Sequence, residues 1–488
     1  MQYSETVAKV YHKEKKQMAK IRFDTKVQFI KYKVLSEIAR HAYAGDLSEN
    51  LLNIPKVISP GPDSSLRCCV YKERAIVSES IQLATQGVKK DENVISVINI
   101  ACDECPVEGY RVTDDCRGCL AHRCKIACPR KAISFDENLR AKIDKSLCIN
   151  CGLCAKACPY SAIQSRTRPC LNACKANAIT TGTDGAAQIN DEKCITCGAC
   201  VYQCPFGAIT DRSSIVQIIE NLKNADKHVY AIVAPAIAGQ FDYAKVLQVV
   251  TGIKQLGFYQ VIEAALGADM VAYAEAQELA EKGQLTSSCC PAFVRYIKTN
   301  FPTLADKISH NPSPMIALGR YLKSIDDKAV TVFIGPCTAK KREALEAEDG
   351  CIDYVMTFEE LQAVFNGKDI DLTTLEETPI DNASYFGRIF ARIGGLSEAA
   401  VQSLKEQNID FEVKPMICDG IDNIKVALNK MKRGNVDFNF LEGMACLGGC
   451  IGGPCNITHE VKDKMDVDKF GKTSKEEGIL SSLQKVNK

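Results

Sequence analysis

Two stretches of this sequence share one cysteine pattern: residues 148–159 read CINCGLCAKACP and residues 194–205 read CITCGACVYQCP. Both follow a Cys-x2-Cys-x2-Cys-x3-Cys-Pro spacing. In such a run, three closely spaced thiolates wrap one 4Fe-4S cubane and the fourth binds a neighbouring cluster. A structural zinc site would not produce this spacing twice with the terminal proline. The two runs therefore predict iron-sulfur clusters.

Each run is preceded by a partner element at a similar separation, which indicates an internal repeat of two ferredoxin-like modules. In the first module, the partner element has four residues rather than two in its middle gap, an insertion that a loop tolerates. Crossed ligation, as in two-cluster ferredoxins, then predicts two cubanes. The first is held by Cys116, Cys119, Cys124 and Cys158, and the second by Cys128, Cys148, Cys151 and Cys154.

The partner element of the second module is reduced to Cys170 and Cys174. Crossed ligation predicts a third cubane here and leaves Cys170 and Cys204 with only each other. An upstream Cys-x2-Cys pair, Cys102 and Cys105, is a candidate to complete a fourth cluster with them. The competing interpretation is that the fourth site binds no cluster and that these four cysteines are not ligands. The predicted third cubane is held by Cys174, Cys194, Cys197 and Cys200.

The length, charge and cysteine count of the chain exclude some classes of protein and favour others. Its 488 residues are enough for two to four domains. Lys and Arg number 61 against 60 Asp and Glu, so no basic footprint for nucleic acid exists. Neither a secretion signal nor a run of ~20 apolar residues is recognisable, and we expect a soluble, cytoplasmic protein without a membrane partner. In that setting the 26 cysteines favour metal ligation over disulfides.

The pattern along the chain predicts five segments. Residues 1–100 form a mainly helical N-terminal segment, 101–165 the first ferredoxin-like module, and 166–212 the second. Residues 213–470 form an α/β catalytic domain with parallel sheets, and 471–488 a frayed helix or tail. Within the α/β domain, strands are predicted at 228–236, 329–334, 411–417 and 436–441, and helices at 267–282, 339–347 and 421–432.

Three further motifs lie at or just beyond predicted strand ends, where open parallel sheets bind their ligands. Their glycines let the backbone approach a bulky inorganic group. In this order and with these intervals, they strongly resemble the signature motifs of the iron-only (FeFe) hydrogenases, and the resemblance covers roughly residues 100–460. The motifs are TSSCCPAF at 286–293, GPCTAKKRE at 335–343 and EGMACLGGCIGGP at 442–454.

The resemblance implies an H-cluster, which is a 4Fe-4S cubane linked to a two-iron subsite with CO, cyanide and azadithiolate. Cys450 would also bridge to that subsite. Cys289 matches the thiol that passes protons to the bridge amine, Lys340 the lysine that binds a cyanide, and Glu343 a carboxylate along the route. The implied cubane ligands are Cys290, Cys337, Cys446 and Cys450, and the retained family residues Met444 and Pro235 are expected at the cofactor.

The resemblance also implies a proton route. Glu275 and Glu278 share one side of a predicted helix, and they match the two relay glutamates of the family, with Ser309 at the position of a relay serine. A thiol such as Cys289 suits proton exchange because its reference pKa is ~8.5.

Three positions depart from well-studied family members. Gly335 stands where those members have a methionine, Leu447 replaces a histidine, and Ala236 replaces a serine. The departures indicate a divergent subgroup rather than a dead enzyme.

The function implied is a hydrogenase that catalyses H2 = 2H+ + 2e-, with electrons relayed to or from a ferredoxin or similar soluble carrier. Dedicated maturases would supply the two-iron subsite. One alternative is a hydrogen-sensing homologue, although no signalling domain is visible. Another is a hydrogenase-like iron-sulfur protein that lacks the two-iron subsite and serves in electron transfer or cluster assembly. Such a protein would not need Cys289, Lys340 or the relay carboxylates.

The other cysteines are weaker candidates for metal ligands. Cys68 and Cys69 could be ligands but are more often structural, Cys351 and Cys418 are expected to be buried small hydrophobes, and Cys455 is not expected to be a ligand.

Overall fold

The structure, a computed structural model, describes residues 21–486 except 65–66, 91, 104, 106–108, 435 and 477. The first twenty residues of the predicted N-terminal segment lie outside this range. The strands are β1 Ile95–Val97, β2 Gly109–Val112, β3 Ile133–Phe135, β4 Ala141–Ile143, β5 Ile163–Arg166, β6 Ile179–Thr181, β7 Ala187–Ile189, β8 Ile209–Asp211, β9 His228–Val233, β10 Gln260–Glu263, β11 Leu285–Thr286, β12 Ala329–Gly335, β13 Tyr354–Thr357, β14 Pro415–Asp419 and β15 Phe440–Met444.

Helices account for most of the remaining regular structure. The α-helices are Lys26–Ala44, Leu47–Asn50, Ile54–Ile58, Val70–Thr85, Asn99–Cys102, Arg123–Ile126, Leu153–Ala157, Pro169–Ala173, Ala199–Gln203, Ile215–Leu222, Val246–Gln255, Ala264–Lys282, Pro291–Asn300, Pro314–Ile325, Thr338–Glu346, Phe358–Gly367, Tyr385–Arg388, Gly395–Glu406, Ile421–Lys432, Asp463–Gly471 and Ile479–Val486. Short 3-10 helices are Pro235–Gly239, Pro302–Lys307, Leu372–Thr374, Ile389–Ala391 and Cys450–Gly452.

Two parallel sheets form the framework of the C-terminal half. One has the strand order β10-β9-β12-β13 and the other β11-β15-β14, with every neighbouring pair parallel. Strand β12 is buried along its whole length and β9 along all but its first residue, as expected of parallel strands covered on both faces. The mixed helix and parallel-sheet class predicted for this half is therefore present.

Two predicted strands begin later than expected. The predicted strands at 411–417 and 436–441 overlap β14 and β15, but each observed strand starts four residues further on. The reason lies in Asn439, whose side chain accepts a hydrogen bond from the Lys414 amide and donates one to the Glu412 carbonyl. A side chain thus joins the two segments just before their paired strands begin.

The cysteine-rich region consists of small antiparallel pairs. Strands β2 and β5 pair, as do β3 with β4 and β6 with β7. Strand β1 comes from the segment predicted to be helical, yet it pairs antiparallel with β8, more than a hundred residues later. Residues 109–166 therefore lie, in sequence, between two strands that are partners.

The last helix is packed rather than frayed, contrary to the prediction for residues 471–488. Ile479 is fully buried, and the Ser482 hydroxyl donates to the buried carboxylate of Asp269 at 2.6 Å. This contact holds the last helix against helix Ala264–Lys282. Within the described ranges, no helix has both the length and the apolar character required to cross a membrane.

Candidate active site and cluster sites

The loops after β9, β11, β12 and β15 converge on one small cavity of about 90 Å³. It lies at the carboxyl ends of both parallel sheets, the edge at which such sheets bind ligands. Its walls are predominantly apolar and include Phe333 and Met315. The predicted site residues that line it are Pro235, Cys289, Cys290, Cys337, Lys340, Met444, Cys446 and Cys450.

These cysteines are too widely spaced to be the ligands of a single ion. Four thiolates about 2.3 Å from one tetrahedral zinc lie roughly 3.8 Å apart. Over the described part of the chain, no three cysteines bring their Sγ atoms within 4.8 Å of one another. Burial raises the pKa of Cys337 to about 12 and that of Cys450 to about 11. Binding of a metal group would displace these protons.

Lys340 brings a positive charge to this apolar cavity. The residue is only 8% exposed, and its ammonium donates to Glu343 Oε2 at 2.7 Å and to the Cys289 carbonyl at 3.3 Å. Burial alone would lower the pKa of Lys340, but the Glu343 carboxylate outweighs it, and the pKa lies above its ordinary value. A charged lysine at the wall of an apolar cavity can hold an anionic ligand.

The three departures from the family pattern have different positions. A Cβ atom at Gly335 would lie 2.6 Å from Phe333 Cε1 and 3.0 Å from Ala234 Cβ, so Phe333 fills the space next to residue 335. Ala236 is buried and lines the cavity. Leu447 is 70% exposed and does not line it. Of the three departures, Ala236 therefore lies in the cavity lining, Gly335 lies behind the lining residue Phe333, and Leu447 lies at the surface.

The predicted proton-route residues form a connected set that reaches the surface. Glu278 accepts hydrogen bonds from the Ser309 hydroxyl at 2.7 Å and from Asn311 Nδ2 at 2.8 Å. It also contacts Lys282 Nζ at 2.6 Å and His310 Nδ1 at 2.7 Å, and the side chain of His310 is 74% exposed. Although burial alone would raise the pKa of Glu278, these donors lower it to about 2.

Glu275 lies deeper, between this outer group and Cys289. It is 1% exposed, and its Oε1 accepts from the Ser288 amide at 3.3 Å. Within the described residues, its Oε2 has no hydrogen-bond partner. Burial raises the pKa of Glu275 to about 8, although the nearby Ser309 hydroxyl lowers it. Burial, and next to it the charge of Glu275, raises the pKa of Cys289. The order from cavity to surface is thus Cys289, Glu275, Ser309 and Glu278.

The cysteines of the first module form two groups. Burial raises the pKa of Cys124, and the neighbouring thiols that also raise it are Cys119 and Cys158. Those of Cys154 are Cys128 and Cys148. Both groupings are the ones that crossed ligation assigns.

The third predicted cluster site directly adjoins the cavity. Beyond burial, the neighbours that raise the pKa of Cys197 are Cys194, Cys174 and Cys290, so a thiol of this site lies beside a predicted H-cluster ligand. The Thr338 hydroxyl donates to the Thr196 carbonyl at 2.6 Å. These contacts leave no intervening layer between the second module and the cavity.

A buried ionic network was not foreseen. Lys341 Nζ lies 2.7 Å from Asp211 Oδ2 and 2.7 Å from Glu360 Oε1, and Lys31 Nζ lies 2.5 Å from Asp211 and 2.7 Å from Glu359. The thiol of Cys455 lies within 4.8 Å of Asp211 and Glu359 ligand atoms. Both carboxylates already form ion pairs with lysines, so we interpret the group as a structural ion-pair network and not as a metal site. In the sequence these charges look like surface residues.

The remaining thiols divide by exposure. Cys351 and Cys418 are 2% and 6% exposed, which confirms that they are buried. Cys68 and Cys69 are both exposed, so the prediction that they are structural finds no buried position to support it.

Two parallel sheets with an apolar cysteine-lined cavity at their carboxyl ends, preceded by paired cysteine motifs, define an iron-sulfur protein of the α/β type. Residues 227–454 match the iron-only hydrogenase large subunit, C-terminal domain family. Residues 141–164 and 187–210 each match the 4Fe-4S binding domain family. Residues 227–454 of the chain therefore form a domain of the iron-only hydrogenase family.

Curated relatives fall into two groups. Iron hydrogenase 1 of Clostridium pasteurianum is 30% identical over 311 residues, which are 51% of this chain and 54% of that protein. A probable cytosolic Fe-S cluster assembly factor of Aedes aegypti is 27% identical over 262 residues, 42% of this chain and 55% of that protein. The chain spans about half the length of the curated relatives it matches. A solved FeFe-hydrogenase from Chlamydomonas reinhardtii is 20% identical, with a TM-score of 0.47, and the match covers 55% of this chain and 92% of that one.

Proposed function

We propose that this chain is a hydrogenase that interconverts H2 with protons and electrons at an H-cluster. The observation that carries the proposal is the convergence of Cys289 and Lys340 with four cysteines on one apolar cavity. Cys290, Cys337, Cys446 and Cys450 would hold the cubane. When bound, an H-cluster supplies the redox-active metal for splitting or forming H2.

Each further residue of the site has a defined task. Lys340 holds an anionic ligand of the cofactor, and Glu343 anchors that lysine through the 2.7 Å ion pair. Cys289 exchanges a proton with the cavity, and Glu275, Ser309 and Glu278 carry it to the surface. The apolar walls exclude water, which strengthens the electrostatic contacts inside.

The first module offers a surface for the electron partner. Residues 109–166 carry eleven Lys and Arg against five Asp and Glu. Large apolar side chains next to the predicted ligands are also exposed, among them Leu120 at 91%, Ile126 at 80% and Ile149 at 58%. A basic surface with an apolar centre fits a small acidic electron carrier of the ferredoxin type, because opposite charge steers encounter.

A second candidate function is cluster assembly or electron transfer without the two-iron subsite. It is favoured by the matches to proteins named as cytosolic iron-sulfur assembly factors. Such a role requires cubanes alone. It leaves the buried Lys340 ammonium and the Glu275 to Glu278 route without a task.

Infrared spectroscopy of maturated protein, combined with hydrogen uptake and evolution assays, separates these functions. We expect CO and cyanide bands together with turnover. Cys289→Ala should keep the bands and lower turnover about 100-fold to 10,000-fold, as expected for loss of a positioned acid-base group. The matched control is Cys418→Ala, which removes a buried thiol that does not line the cavity. Absence of the bands would eliminate the hydrogenase, whereas bands with negligible wild-type turnover would favour hydrogen sensing.

A further inference from the structure

The two cysteine modules repeat one another down to single hydrogen bonds to sulfur. In the first module, the amide of Ala132 donates to Cys128 Sγ at 3.3 Å. In the second, the amide of Ala178 donates to Cys174 Sγ at 3.2 Å. In both cases the donor follows the cysteine by four residues. Cys174 is therefore the counterpart of Cys128.

The same comparison assigns a counterpart to the first ligand. The amide of Ala141, which opens β4, donates to Cys116 Sγ at 3.5 Å. The amide of Ala187, which opens β7, donates to Cys102 Sγ at 3.3 Å. Strands β4 and β7 are the second strands of the two equivalent hairpins. Cys102 thus takes the place of Cys116, although it lies upstream of the whole first module.

The strands that flank these cysteines repeat as well. In the first module β2 pairs with β5, and the amide of Thr113 after β2 donates to the Ala162 carbonyl at 2.8 Å. In the second, β1 pairs with β8, and the amide of Ile98 after β1 donates to the Ala208 carbonyl at 2.7 Å. The second module therefore begins at β1, and the first module is inserted into it.

The four cysteines left over from the three predicted clusters meet in this frame. Cys102, Cys170 and Cys204 are buried together in one core cluster with 4%, 5% and 7% exposure. The ionisable neighbours of Cys170 are Cys204, Cys102 and Cys105. Like the other sets, they do not approach the spacing of ligands to a single ion within the described residues.

We propose that Cys102, Cys105, Cys170 and Cys204 bind a fourth accessory 4Fe-4S cluster, in a second module that is interrupted by the first between its second and third ligands. The 102–105 and 170–174 spacings equal the 116–119 and 124–128 spacings. Between Cys105 and Cys170 lie 64 residues, which contain the entire first module. At the equivalent place in the first module, only four residues separate Cys119 from Cys124. The proposal deepens the proposed function by completing its electron relay.

The placement of this site gives it a role between the other clusters. Cys170 neighbours Cys200 of the third site. On the other side, the paired end residues of the inserted module, Gly109 and Arg166, each lie four residues along the chain from a cysteine of this site, Cys105 and Cys170. The fourth cluster thus links the inserted module to the cavity-side cluster. Because electron tunnelling weakens steeply with distance, its loss interrupts the relay.

A buried cation lies beside this site. The Arg168 side chain is 5% exposed, and its Nη1 lies 3.9 Å from Cys102 Sγ. A positive charge next to a cluster with four thiolate ligands stabilises the reduced, more negative form. Arg168 therefore raises the reduction potential of the fourth cluster.

Iron counting by native mass spectrometry tests the proposal on protein produced without maturases. In this form the count does not depend on the two-iron subsite, so it is independent of the hydrogenase proposal. The variant carrying Cys102→Ser and Cys105→Ser should lose about four irons per chain. The control with Cys351→Ser and Cys418→Ser removes two buried thiols that no predicted cluster uses, and should keep its iron. An unchanged iron count in the first variant overturns the proposal.

If the first variant does not fold, Arg168→Met decides the question. We expect an unchanged iron count and a lower midpoint potential for one cluster in a redox titration followed by electron paramagnetic resonance. A set of midpoints identical to the wild type overturns the proposal, because no cluster would then lie beside Arg168.

Discussion

Replacing Glu275 by glutamine removes one proton carrier from the route while it keeps the shape of the side chain. The carboxyl is 1% exposed and its pKa is raised to about 8 by burial, so it is neutral at pH 7. The amide resembles this neutral form and can still accept from the Ser288 amide. We therefore expect the variant to be more stable than the wild type at pH 7, by up to about 3 kcal/mol, because glutamine takes up no proton on folding.

Turnover should fall even though the variant is not destabilised. Loss of a positioned acid-base group lowers rates about 100-fold to 10,000-fold, and glutamine cannot exchange protons. The assay is hydrogen evolution with a chemical reductant, together with infrared bands that report the cofactor load. Glu281→Gln is the matched control, because Glu281 lies on the same helix but is exposed. Wild-type turnover in Glu275→Gln would refute the route.

The same variant has a second readout in the pH dependence of stability. Between its ordinary value of 4.5 and about 8, the folded state keeps a proton on Glu275 that the unfolded chain has released. Stability of the wild type should therefore fall as pH rises through this window, by at most about 5 kcal/mol. Glu275→Gln should lack this part of the slope in urea unfolding. An identical slope would show that the carboxyl is solvated.

Two other predictions concern the network and the partner surface. Lys341→Met leaves two buried carboxylates without their 2.7 Å partner, and it should lower the free energy of unfolding in urea by about 3–5 kcal/mol; a loss below about 1 kcal/mol contradicts the buried pairing. Arg117→Glu combined with Arg123→Glu should slow electron exchange with an acidic ferredoxin roughly 10-fold at low salt and less at high salt. The exposed Lys464→Glu is the control in the same stopped-flow assay, and equal effects at both places would remove the first module as the docking surface.

Local spacing made the cysteine groups predictable from the sequence, because ligands three residues apart must share a cluster whatever surrounds them. The strand ends that present Pro235 and Cys337 were predictable too, since β9 and β12 are apolar along most of their length. Strand β11, which precedes Cys290, was not among the predicted strands. Glu275 and Glu278 could be found only through the family pattern, because two glutamates on a helix are ordinarily exposed.

Contacts between segments that lie far apart in the chain could not be predicted from the sequence. Strand β1 has only three residues and its partner β8 lies more than a hundred positions away, so no local pattern could reveal the interrupted module. Phe333 filling the space beside Gly335 depends on the packing of one strand face. The pairing of Lys31 with Asp211 and Glu359 likewise joins three remote elements, and isolated charges carry no sign of it.

The pairing of Gly109 with Arg166 brings the two ends of the first module side by side. A segment with adjacent ends can be excised and the gap closed by a short linker, which leaves the surrounding fold its own strands and hairpin. The module therefore behaves as a cassette. A single genetic insertion or deletion at this point would lengthen or shorten the path of electrons to the surface and exchange the docking face, without altering a residue of the cavity where the chemistry takes place.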